Sequence, residues 1–143
     1  MLNNEVMMGI AEFILGGRSE FTIYQNANGK EVKALYKVCQ SDDGGSYFVY
    51  ASDSGKCSMD YQGYIKKSKS PEGGYYFKPG VKGKNNTRLV NALMWVLKHS
   101  HSLDERVHVL HHGRCSVCGR KLTDGKSLVY GIGPVCLSKM NFR

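Results

Sequence analysis

The stretch that organises the C-terminal part of the chain reads His-His-Gly-Arg-Cys-Ser-Val-Cys-Gly-Arg over residues 111–120. Two cysteines separated by two residues can wrap one ion in a tight knuckle, and zinc takes four such soft or borderline ligands at tetrahedral corners. Gly119 directly follows the second cysteine, where a positive φ lets backbone amides turn toward a thiolate. Cys115 and Cys118 are therefore predicted zinc ligands.

A third sulfur follows in the stretch Gly-Ile-Gly-Pro-Val-Cys, residues 131–136. Pro134 suits the first turn of a helix, so Cys136 is predicted to lie early in a short terminal helix. Between the knuckle and this helix, Leu122 to Ser127 is interpreted as a turn between short strands, with Asp124-Gly125 at its tip. A knuckle, a hairpin and a ligand at a helix start predict a treble-clef-like or ribbon-like zinc module.

The fourth ligand is expected just upstream, where His111 and His112 precede Cys115 by four and three residues. In an incoming strand these two side chains point to opposite faces, so only one of them can face the ion. Asp124 or a water is the alternative, although structural zinc sites are normally closed by protein ligands. A thioredoxin-like redox site is not expected, because this C-x-x-C does not lie between a strand and a long helix.

The composition agrees with a folded, metal-binding chain rather than a disulfide-linked one. The five cysteines include the C-x-x-C pair, and the N-terminus has no basic residue before Arg18, so neither a secretory signal nor disulfides are expected. Cys39 and Cys57 are interpreted as packing residues or free thiols. The sequence has no run of about 18 apolar residues, so no transmembrane helix is predicted.

The residues before the knuckle predict an α+β domain over 1–106, followed by the zinc module over 107–143. Alternating apolar residues and turn signals, Asn28-Gly29 among them, predict a small antiparallel sheet covered by a helix. The predicted strands are 21–25, 31–38, 47–51, 59–65, 75–77 and 107–110. The predicted helices are 4–15 and about 87–99, with a single capped turn at 102–105 and Trp95 as the largest apolar anchor of the longer helix.

The pattern Cys-x-x-Cys-Gly-Arg-x-Leu-Thr, then Ser127, then Gly-Ile-Gly-Pro-x-Cys resembles a zinc-binding domain of unknown function found in bacteriophage and prophage proteins. In that family a His commonly stands four residues before the first cysteine, which implies His111 as the fourth ligand. The resemblance extends loosely upstream to residue 17, although the polar stretch 52–57 departs from it. It implies a phage protein acting in the cytoplasm of an infected bacterium, with one structural zinc ion and no established catalytic residue.

The charge is unevenly distributed and favours a polyanionic partner. The net charge is +8, and residues 66–88 hold seven Lys or Arg against one Glu. Cations can follow phosphates while interleaved aromatic rings stack on bases, so this region predicts a nucleic-acid-binding surface. The residues assigned to it are Lys66, Lys67, Lys69, Lys78, Lys82, Lys84, Arg88, Tyr64 and Arg120.

Two other functional classes compete with nucleic-acid binding. A protein-binding module, such as an inhibitor that occludes a host or anti-phage defence protein, needs no catalytic site and stays an alternative. An enzyme is not expected, because the sequence has no zinc-protease helix, phosphate-binding loop or nucleophile elbow. A closed shell of three sulfurs and one imidazole would also leave no position for an activated water.

Overall fold

One six-stranded antiparallel sheet organises the chain in a computed structural model, which describes residues 4–53, 59–81, 86–123 and 125–139. The strands are β1 (Arg18–Ala27), β2 (Lys30–Gln40), β3 (Tyr47–Ser52), β4 (Asp60–Lys67), β5 (Tyr75–Pro79) and β6 (Val107–His111). The described helices are α1 (Ile10–Ile14), α2 (Thr87–Lys98), α3 (Gly125–Tyr130) and α4 (Pro134–Ser138). None of these helices has the length and apolarity that crossing a bilayer requires.

The sheet is a meander of five strands with a sixth strand added at the opposite edge. Its order is β5-β4-β3-β2-β1-β6, so β6 pairs antiparallel with β1. The predicted Asn28-Gly29 turn is confirmed, because φ is 54° at Asn28 and 77° at Gly29, and Ala27 pairs with Lys30 across it. Two successive positive φ angles match the right-handed twist of a hairpin.

The main core lies between α1, α2 and one face of the sheet. Phe21 and Tyr36 are fully buried there, with parallel rings whose centroids are 5.4 Å apart. The Tyr36 hydroxyl donates a hydrogen bond of 2.8 Å to the Leu89 carbonyl of α2. Burial raises the pKa of Tyr36 far above its usual range, so this phenol stays a donor. The bond ties the central strand to the helix.

A β-bulge in β4 positions the start of α2. The register shifts so that Val49 faces Gly63 while Tyr50 faces Tyr61, which leaves Gln62 as the extra residue. The buried Gln62 side chain accepts a 2.6 Å hydrogen bond from the Asn86 amide. Asn86 caps the helix, since its side chain accepts from the Leu89 amide.

The sheet is not covered by a helix, which corrects the prediction from sequence. A helix of twelve residues is about 18 Å long, whereas six strands span roughly 24 Å, so α2 packs on only part of one face. Trp95 is not the anchor that the sequence indicated: it is 40% exposed and stacks on His99, with centroids 4.4 Å apart. The first helix is also shorter than predicted, because Gly9 before it is in the left-handed conformation.

The C-terminal part has a small hydrophobic cluster of its own. Cys115, Leu122 and Ile132 are its buried members, and residues of α3 and α4 pack around them. Strand β6, which the sequence assigned to the zinc module, is the edge strand of the sheet. The two regions therefore meet through a shared strand.

Candidate metal centre and nucleic-acid surface

Three cysteine sulfurs converge in the C-terminal part. The sulfurs of Cys115, Cys118 and Cys136 all lie within 4.8 Å of one another. Two sulfurs held about 2.3 Å from one zinc ion at a tetrahedral angle are roughly 3.8 Å apart, so the cluster has the scale of a metal site. Three thiolate donors are also the ligand type that zinc and other soft divalent ions prefer. The cluster can therefore hold a metal ion.

The knuckle that presents the first two sulfurs is built by backbone hydrogen bonds. The Cys115 amide donates to the Arg120 carbonyl at 2.8 Å, and the Gly119 amide donates to the Cys115 carbonyl at 2.9 Å. Gly119 has φ 79°, as predicted, a conformation that costs glycine no strain. The Val117 amide lies 3.4 Å from the Cys115 sulfur and donates to it. The loop is thus shaped to hold a negative sulfur.

The pKa values of Cys115 and Cys136 shift in opposite directions. Burial by itself would raise the pKa of Cys115, but backbone amides of Gly133, Cys118 and Val117 that point at its sulfur lower it overall. The pKa of Cys136 is raised to about 11, first by burial and then by the two neighbouring sulfurs. Three negative sulfurs at this separation need a cation, and a divalent ion would supply it.

Between the knuckle and Cys136 the structure has a short helix where the sequence predicted the second half of a hairpin. Residues Gly125–Tyr130 form α3, and Gly131 follows with φ 70° while its amide donates to the Ser127 carbonyl at 2.7 Å. A glycine in this conformation is a common helix stop. Cys136 lies in the first turn of α4 behind Pro134, as predicted. The treble-clef-like or ribbon-like interpretation of the module therefore stays a prediction.

His111 is buried beside the cluster, but its ring nitrogens have other partners. Its Nε2–H donates to the Leu128 carbonyl at 2.8 Å, and the Gly113 amide donates to its Nδ1 at 2.9 Å. His112 points the other way, is exposed, and lies with Nε2 3.0 Å from the Thr22 hydroxyl. The group of converging ligand atoms among the described residues comprises the three sulfurs. Ligation by His111 would require one of its hydrogen bonds to break, so this assignment stays a prediction. Asp124 lies outside the described residues.

The side of the sheet opposite α1 and α2, here called the open face, carries aromatic and basic side chains in two transverse rows. Residues directly opposite on neighbouring strands point to the same face. The first row comprises Arg18, Cys39, Phe48, Tyr64 and Lys78, on β1 to β5 in that order. The second row comprises Glu20, Lys37, Tyr50 and Tyr61, on β1 to β4.

Three of the four aromatic rings of the two rows form one contiguous group, and the fourth, Tyr64, is the cross-strand partner of Phe48. Tyr61 contacts both neighbours, with ring centroids 6.3 Å from Phe48 and 5.4 Å from Tyr50. The Lys66 ammonium lies 5.8 Å from the centre of the Tyr64 ring. All of these rings are partly exposed, and the planes in the two Tyr61 pairs are tilted by 55–58°. The open face therefore presents ring surface beside cations.

The structure brings only some of the predicted nucleic-acid-binding residues together. Tyr64, Lys66 and Lys78 share the open face, because Tyr64 pairs with Lys78 and Lys66 pairs with Tyr76. The remaining members lie elsewhere: Lys67 on the opposite face, Lys69 in the β4–β5 turn, Arg88 in an ion pair with Asp53 at 2.9 Å, Arg120 exposed on the knuckle, and Lys82 and Lys84 outside the described residues. Sequence reasoning missed Phe48, Tyr50 and Lys37, which only strand register places beside Tyr64.

The comparisons with known proteins bear on the C-terminal part alone. The model of a family of unknown function, DUF6011, matches residues 105–141. This range contains the knuckle, α3 and Cys136, so the chain is similar to that family over its cysteine cluster. No curated protein and no solved structure matches the chain.

Proposed function

We propose that this chain is a non-enzymatic bacteriophage accessory protein that binds single-stranded nucleic acid through the open face of its sheet. The observation that carries the proposal is the contiguous group of partly exposed rings with cations at its margins. The resemblance to phage and prophage zinc-binding domains supports the origin and a role in the host cytoplasm. The net charge of +8 supports a polyanionic partner.

Single strands fit this surface better than duplexes do. Unpaired bases can stack on aromatic rings, whereas the bases of a duplex are already stacked on one another. A four-stranded RNA-binding sheet uses its aromatic residues to stack two or three bases. The rings of Phe48, Tyr50, Tyr61 and Tyr64 span two neighbouring strands, about 5 Å apart, which suits a platform of this kind.

The zinc ion is proposed to be structural. Cys115 is fully buried, and the cluster around it contributes few apolar side chains in the described residues. A metal bound by thiolates would stabilise this small region by joining the knuckle to α4. Its ligands would be Cys115, Cys118, Cys136 and a fourth ligand, for which His111 is the sequence-based candidate.

The proposal is tested by measuring binding of labelled oligo-dT and oligo-U of about twelve nucleotides, and of a duplex of equal length, across a salt series. Both single strands should bind more tightly than the duplex, and affinity should fall as salt rises. Tyr50→Leu and Tyr64→Leu should each weaken binding about 5- to 150-fold, the equivalent of roughly 1–3 kcal/mol per stacked base.

The matched control is Trp95→Leu, which removes an exposed aromatic residue from α2 on the other side of the sheet. It should leave the affinity unchanged. Absence of binding to any of the nucleic acids at low salt would contradict the proposal. That outcome would favour the alternative function, in which this chain inhibits a host or anti-phage defence protein by binding to it through the same face.

A further inference from the structure

A groove lies where the open face meets the zinc knuckle. Its volume is about 430 Å³, within the range of small-ligand sites. It is lined from β1 and β2 by Arg18, Glu20, Lys37 and Cys39, and from the knuckle by Arg114 and Gly119. It therefore joins the two regions of the molecule that the sequence analysis treated separately.

The lining of the groove is predominantly cationic. Arg18, Lys37 and Arg114 contribute positive charge from three chain segments, and Glu20 contributes one carboxylate. Glu20 is the cross-strand partner of Lys37, so it neutralises part of that charge and leaves the two guanidinium groups in excess. Arg114 donates one N–H to the Gly119 carbonyl at 3.1 Å, which holds the guanidinium at the knuckle while its other N–H groups stay available.

The groove is continuous with the aromatic residues of the open face. Arg18 and Cys39 begin the first transverse row, and Lys37 precedes Tyr50 in the second. From β1 to β5 the first row is about 19 Å long, since neighbouring strands lie about 4.8 Å apart. A chain of phosphates and bases that enters the groove can thus continue over the rings toward Lys78.

We propose that this groove is the phosphate-binding end of the nucleic-acid site, where Arg18, Lys37 and Arg114 bind the backbone of a single strand whose bases stack on the open face. The inference rests on the proposed function and extends it. It gives the zinc knuckle a direct contact with the ligand through Arg114. It also fixes the path of the nucleic acid, which runs across the sheet from β1 to β5 rather than parallel to any one β-strand.

The test compares the salt dependence of oligo-dT binding for wild type, Lys37→Gln and Arg114→Gln. Each substitution should weaken binding and should reduce the slope of log K against log salt by about 0.7 for each phosphate that the variant no longer neutralises. Lys98→Gln, which removes an exposed cation from α2, is the matched control and should change neither quantity.

Cys39 offers an independent readout, since its half-buried thiol lies in the groove. Saturating oligo-dT should slow alkylation of Cys39 in proportion to the bound fraction, as measured by peptide mass spectrometry. The groove assignment would be overturned if Lys37→Gln and Arg114→Gln left the salt slope unchanged, or if oligo-dT did not protect Cys39. The proposed function would still stand if binding were tight and depended on the aromatic residues. If wild type binds no nucleic acid, both are overturned together.

Discussion

The sheet region and the C-terminal region of this protein differ in how many apolar side chains they bury. In the described residues, the cluster between α1, α2 and the sheet contains seventeen buried apolar side chains, whereas the cluster around Cys115 contains three. Burial of each large apolar side chain contributes about 1.5–3 kcal/mol, so the first region can be stable through packing alone. The second buries far fewer such side chains among the described residues, and its three converging sulfurs can hold a metal ion.

The two regions also have different roles in the proposed binding site. The aromatic group lies on β3 and β4, which belong to the self-sufficient sheet. The knuckle borders the groove through Arg114 and Gly119. Metal binding is therefore expected to shape one end of the proposed site, while the stacking surface depends on the sheet.

The largest expected effect is the loss of the metal from Cys118→Ser. Structural zinc contributes roughly 10–16 kcal/mol in small zinc-dependent peptides, so a broken ligand set should release the ion and unfold the C-terminal region. Zinc per chain, measured by plasma mass spectrometry, should fall from about one to near zero. Cys39→Ser, which removes a thiol outside the cluster, should keep its zinc. Full zinc occupancy in Cys118→Ser would contradict the ligand assignment.

The next effect is on the sheet region. Phe21 is fully buried against Tyr36 and Phe13, so Phe21→Ala should destabilise the protein by about 3–5 kcal/mol in urea unfolding. Zinc stoichiometry of the folded fraction should be unchanged, since the sulfurs lie in the other cluster. Loss of zinc in step with loss of sheet stability would show that the two regions are not energetically separate.

A smaller effect is expected from His111→Ala, and it sharpens the ligand assignment. The substitution removes the hydrogen bonds that the ring makes with the Gly113 amide and the Leu128 carbonyl, which should lower the free energy of unfolding by about 1–3 kcal/mol. Zinc retained near one per chain would show that the ring nitrogens keep these hydrogen bonds and do not bind the ion. His112→Ala, at an exposed neighbour, should change stability by no more than about 0.5 kcal/mol. Zinc loss from His111→Ala alone would establish His111 as the fourth ligand.

Local signals predicted most of the elements and the cysteine cluster. The turn at Asn28-Gly29 and the helix behind Pro134 each depend on the conformational preference of one or two residues, and each is confirmed. The convergence of three sulfurs followed from the spacing of the knuckle and from Cys136 at a helix start.

Features that depend on distant parts of the chain were not predictable in the same way. Asp124-Gly125 suggested a hairpin, but the stop signal that mattered was Gly131, which ends α3. Lys66 and Lys67 are adjacent in sequence, yet strand alternation places them on opposite faces. The aromatic rows require the register of β2 to β5 and a bulge at Gln62, both set by packing across the sheet.

Hydrogen exchange on zinc-loaded and chelator-treated protein tests the contrast between the two regions most directly. Removal of zinc should abolish amide protection in the knuckle, α3 and α4 while β2, β3 and β4 keep theirs. Protection that persists throughout residues 112–139 in verified metal-free protein would contradict the central claim that a bound ion, rather than apolar burial, holds this region in shape.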